Sequence, residues 1–171
     1  MFRFWKFLFL ALLSILVLAA CGKTFEEQAA EAIAAAKEAF QLHDKHVNDE
    51  VHGVSLYKPA GFSIDEKSDA HNIVLKKGDE TFLLFINPNE SRDSRLFYEL
   101  SIKTEDKERF EEVFTEDGYF GFSSVLRKGE DQAELIASVG GIKITTITKN
   151  KNIEANMGKM MEIVRSIDQG S

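Results

Sequence analysis

NIVLKKGDETFLLFINP, residues 72–88, reads as two extended segments joined by a tight turn. Ile73 and Leu75 alternate with polar or outward positions, and Lys77-Gly78-Asp79 supplies the turn. Phe82 to Ile86 is apolar without a break, the mark of a central strand covered on both faces. Asn87-Pro88-Asn89 ends it.

The same period continues on both sides. Upstream, VSLYKPAGFSID (54–65) gives two short extended pieces broken at Pro59-Ala60-Gly61, where Pro fixes φ and Gly eases the turn. Downstream come YFGFSSVL, AELIASV and IKITTIT, three strands separated by Lys128-Gly129-Glu130 and by Gly140-Gly141. LFYELSI (96–102) is either a further strand or the approach to a helix. TEDKERFEEVF (104–114) reads as a short charged helix with Phe110, Val113 and Phe114 inward. Ile153, Met157, Met160, Val164 and Ile167 step by four and three, one face of a closing helix. The fold class is therefore α+β: an antiparallel sheet with a C-terminal helix and one or two further helices packed on it.

An alanine-rich helix precedes this sheet. Thr24 and Glu27 form a capping box, and Phe25, Ala29, Ile33, Ala36, Phe40 and Val47 recur at helical spacing. A helix over Thr24–Val47 packs on the domain, stands as a stalk or pairs with a partner helix. The narrow apolar stripe favours a loosely docked stalk.

The chain opens MFRFWKFLFLALLSILVLAAC. Arg3 and Lys6 precede an uncharged, mostly apolar run of 14 residues, Phe7 to Ala20. As a helix it spans ~21 Å, short of a ~30 Å hydrocarbon core. A basic start, a short apolar region and small residues at the cut describe an export signal. Leu18-Ala19-Ala20-Cys21, followed by Gly22, resembles the lipobox of bacterial lipoproteins. The resemblance implies cleavage before Cys21, a diacylglyceryl group on its sulfur, and attachment to the outer, extracytoplasmic face of the cell membrane. An ordinary signal peptide with a chance cysteine and a retained membrane helix are the alternatives. Cys21 is the single cysteine, so a domain anchored through it contains neither a disulfide nor a free thiol. The organisation expected is a signal peptide at 1–20, a lipidated N-terminus and helical stalk at 21–52, and one α+β domain at 53–171.

The segments YKPAGFSI, LLFINPNE and MMEIVRSI, in that order, are similar to the PsbP-like α/β/α sandwich over about residues 53–168. That resemblance implies a non-enzymatic domain that docks on other proteins, and it assigns no site residue.

Cleavage removes Arg3 and Lys6 and moves the net charge from −7 to −9. Nucleic-acid binding calls for a basic stripe, which is absent from the sequence. Anionic headgroups repel so acidic a domain, which is expected to stand off the membrane on its tether. His43, His46 and His52 fall within ten residues, with Asp44, Asp49 and Glu50 between them. On a helix, His43 and His46 share a face, and Asp49, Glu50 or His52 completes a metal site if the chain turns there. A solvated helix end is the simpler account. No nucleophile elbow, phosphate loop or HExxH spacing occurs. The expected function is a non-catalytic interaction or scaffold module with an envelope or membrane protein as partner and no cofactor. A metal- or ligand-binding lipoprotein is the alternative.

Overall fold

The computed structural model describes residues 23–42, 44–103 and 108–168. Helix α1 (Phe25–Leu42) opens it, and the capping box is formed. The Glu27 amide donates to the Thr24 hydroxyl at 3.2 Å, and the Thr24 amide donates to the Glu27 carboxylate at 2.8 Å. A two-stranded ribbon follows, β1 (Asp49–Val51) and β2 (Val54–Leu56), turned by His52 and Gly53 at φ of 49° and 82°.

The main sheet has seven strands: β3 (Ser63–Ile64), β4 (Asn72–Lys77), β5 (Glu80–Ile86), β6 (Arg109–Glu116), β7 (Tyr119–Arg127), β8 (Gln132–Val139) and β9 (Ile142–Lys149). Their order is β3-β4-β5-β9-β8-β7-β6, and every neighbouring pair is antiparallel. Two meanders, β3–β5 and β6–β9, thus meet along the β5/β9 seam. Helix α2 (Leu96–Ser101) lies in the connection between the meanders, and α3 (Ile153–Ser166) closes the fold after a short 3-10 turn at Asn150–Asn152.

One face of the sheet carries the core. Ile73, Leu75, Phe82, Leu84, Leu135 and Ile144 point from it toward α1 and α3, each almost without exposed surface. Burial of such a side chain contributes about 1.5–3 kcal/mol. Ile153, Met157, Met160 and Val164 are buried on α3, as their spacing predicts, and Met161 and Ile163 join them.

Three expectations are corrected. Helix α1 is a wall of the core: Phe25, Ala29, Ala32, Ile33, Ala36 and Phe40 are all buried, and it packs along α3. Alanines at the contact let the two backbones approach closely, so the narrow stripe marks tight packing rather than a loose stalk. The helix also ends at Leu42, short of Val47. Residues 109–116 form a strand, where a helix was expected. Phe110 and Phe114 sit four apart, a spacing that suits either period, and Val113 is exposed on the other face. Asp117 and Gly118, at φ of 50° and 76°, turn this strand back into β7. Such a pair of positive φ values matches the right-handed twist of a two-residue hairpin.

The third correction concerns β5. It is central, yet only one of its faces is fully covered. Phe82, Leu84 and Ile86 are buried, whereas Leu83 and Phe85 are 52% and 38% exposed. Helix α2 covers the second face of the sheet only in part. Phe97 meets Phe85 edge-on at 5.8 Å, and Tyr98 meets Phe120 and Phe122 at 5.8 and 5.6 Å.

Candidate functional site: the seam between β5 and β9

The β5/β9 ladder runs from Ile86↔Ile142 to Phe82↔Thr146 and stops there, although both strands continue. Beyond that point side chains bridge the strands. The Thr146 hydroxyl donates to the Thr81 carbonyl at 2.7 Å, and the Thr148 hydroxyl donates to the Glu80 carboxylate. The parting strands open a groove of about 770 Å³, with Lys77, Asp79, Lys149 and Lys151 at its rim. Leu83, Thr145, Ile147 and Glu134 line its other side, on the partly covered face of the sheet.

Glu80 organises the floor. Its Oε1 accepts from Thr148 and from Asn152 Nδ2 at 3.1 Å, and its Oε2 accepts from Asn156 Nδ2 at 3.1 Å. Asn156 is fully buried on α3. The same amide nitrogen lies 2.9 Å from the Thr148 hydroxyl, and Asn156 Oδ1 accepts from the Lys77 ammonium at 2.7 Å. Burial works against the charged form of Glu80. Donors on Thr148, Asn156 and Asn152, with the Lys77 charge beyond, outweigh it and hold the carboxyl below its ordinary value. A carboxylate so thoroughly engaged is a poor proton acceptor at neutral pH. Its work is to fix the hairpin end of β4/β5 to the start of α3, which shapes the groove.

The open part of the second face borders this groove. Leu83 pairs with Thr145 and Phe85 with Lys143 across the seam, and Ile147, 56% exposed, stands diagonal to Leu83. Leu83, Phe85 and Ile147 are thus adjacent, partly exposed apolar side chains at the middle of a seven-stranded sheet, with Phe85 also resting on Phe97.

Of the residues singled out in the sequence, the described ones lie elsewhere. Cys21 and His43 fall outside the described residues. His46 is exposed beyond the end of α1, and His52 is exposed in the β1–β2 turn. Among the described residues no group of three or more His, Cys, Asp or Glu side chains is arranged to hold a metal ion. No described helix is long and apolar enough to cross a membrane. Sequence reading missed the Glu80 cluster. Its trace there is the threonine-rich TTIT of β9 followed by Asn152 and Asn156, an i, i+4 pair at a helix start. No protein-family model matches the chain, and no curated protein is significantly similar to it.

Proposed function

We propose that this chain is a non-catalytic interaction module, held on the extracytoplasmic face of the cell membrane by a diacylglyceryl group on Cys21, that docks a membrane or envelope protein. The observation that carries the docking part is the exposure of Leu83, Phe85 and Ile147 across the seam. The lipobox carries the anchoring part, and two acyl chains hold a protein firmly where one does not. The PsbP-like resemblance, with its implied docking role, supports the same reading.

The test is photo-crosslinking in cells from residue 147 of the anchored protein. The control is a Cys21→Ser form exported by an ordinary signal peptide. One crosslinked protein that requires the anchor and disappears with Leu83→Thr supports the reading. Crosslinks only to lipid or to a second copy of the chain, or none, overturn it.

A second reading has one observation of its own, the polar groove at Glu80. A small ligand carrying hydroxyl or charged groups would fill it. A ligand at 100 times its Kd raises stability by ~2.7 kcal/mol, so thermal shifts with a ligand panel decide the matter. A metal held by His43, His46 and His52 is tested by Zn²⁺ titration of the wild type against a His43→Ala/His46→Ala variant.

A further inference from the structure

The position of Phe25 limits how the domain meets the membrane. Phe25 is 5% exposed, packed edge-on to Phe110 at 5.9 Å and beneath the Arg127 guanidinium at 4.0 Å. Immediately before it, the capping box ties Thr24 to the first turn of α1. Three peptide steps separate Thr24 from Cys21, and at 3.8 Å each they reach at most about 11 Å.

The end of the domain next to Phe25 is well defined. Arg127 pairs with Glu26 at 3.3 Å, which places the end of β7 beside the start of α1. The Asn150 side chain donates to the Glu130 carbonyl at 3.1 Å and its amide to the Asp131 carbonyl at 3.1 Å, so the β7–β8 turn joins the 3-10 turn there. The opposite end holds Asp117-Gly118, Gly140-Gly141 and the Asn87–Arg92 loop. Gly140 donates to Phe120 at 2.8 Å, Phe120 to Arg92 at 3.0 Å and Asn87 to Gly141 at 2.8 Å. Strand β7 alone separates the two ends by about 27 Å at ~3.3 Å per residue.

Resting on the lipid-anchor reading of Cys21, we infer that the domain is held flush to the bilayer by its Lys128–Gln132 and Asn150–Asn152 end. The partner of that end is the phospholipid headgroup layer. The expectation that so acidic a domain stands off on a tether gives way to chain length, since about 11 Å leaves no room for it. Charge at that end is mixed: Lys23 pairs with Glu31, Arg127 with Glu26 and Glu108, and Lys128 with Glu134, so the short tether rather than basic attraction sets the orientation. The groove therefore opens near the headgroups, and the Gly118/Gly140 end faces outward.

The experiment uses the full lipidated chain in phosphatidylethanolamine/phosphatidylglycerol vesicles that contain a headgroup spin-labelled lipid. A fluorophore is attached through Glu130→Cys or Asn89→Cys, the native thiol being blocked by the anchor. Loss of most fluorescence at position 130 and almost none at 89 is expected. A long Gly/Ser insertion after Gly22 should abolish the difference. Equal quenching at both positions with the native tether, or a pattern unchanged by the insertion, overturns the inference while leaving the anchor intact. A chain that leaves the vesicles altogether removes the anchor reading, and this inference with it.

Discussion

A methyl group placed on Gly158 of α3 would lie 3.5 Å from the methyl of Ala35 on α1, an ordinary van der Waals contact. Glycine inside a helix costs about 0.5–1 kcal/mol relative to alanine, so Gly158→Ala should stabilise the protein by up to that amount. Gly121 gives the opposite case. A Cβ there falls 2.7 Å from the Phe40 ring and 3.0 Å from the Ser138 carbonyl. Gly121→Ala should lower stability by about 1–3 kcal/mol through overpacking. Urea denaturation of the two variants reads both signs.

Phe40 distinguishes a core helix from a stalk. It is fully buried, lies 5.5 Å from the Phe114 ring, and has the Arg165 guanidinium 5.5 Å away. Phe40→Ala should cost about 3–5 kcal/mol. A loss under about 0.5 kcal/mol, the level of a surface change, would mean that α1 is dispensable.

Leu83 and Leu84 are neighbours on opposite faces of β5. Leu84→Ala should cost about 2–5 kcal/mol, while Leu83→Thr should stay within about 0.5 kcal/mol because it empties no packed site and keeps a good strand former. Comparable losses from the two would show that the second face is covered in solution.

Glu80 should make stability pH-dependent in acid. Its folded pKa lies below its ordinary 4.5, so the charged form is favoured by folding. Its contribution is complete above 4.5 and falls away as the pH drops through the lower folded value. Glu80→Gln turns an amide NH₂ toward donors on Asn156 or Thr148 and should cost about 1–3 kcal/mol at pH 7. The gap between variant and wild type should narrow in acid unfolding curves. A gap constant with pH would assign the cost to shape rather than charge.

The hairpins were legible because each has one period and a glycine turn, and the closing helix because its apolar residues keep one helical face. The 104–114 segment was not, since Phe110 and Phe114 satisfy both periods and the run of charges suggested a helix. Asp117-Gly118 was the deciding signal, and it lies just beyond that window. For α1 the sequence shows a narrow alanine stripe, but only the tertiary contact with α3 shows that narrowness allows close approach. The apolar run 82–86 carries no record of which face a later segment covers. The Glu80 cluster draws on β5, β9 and α3, dozens of residues apart, and each member alone is an ordinary polar residue.

The packing of α1 on α3 joins the first and last elements described in the chain. Ribosomes deliver α1 before all nine described strands, and its partner α3 only after them. Until then the apolar stripe of α1 has no complete surface to rest on, and an isolated 18-residue helix holds itself together only marginally in water. Closing so long a loop also slows folding. Helix α1 therefore has no finished core to join until the whole sheet and α3 have been made.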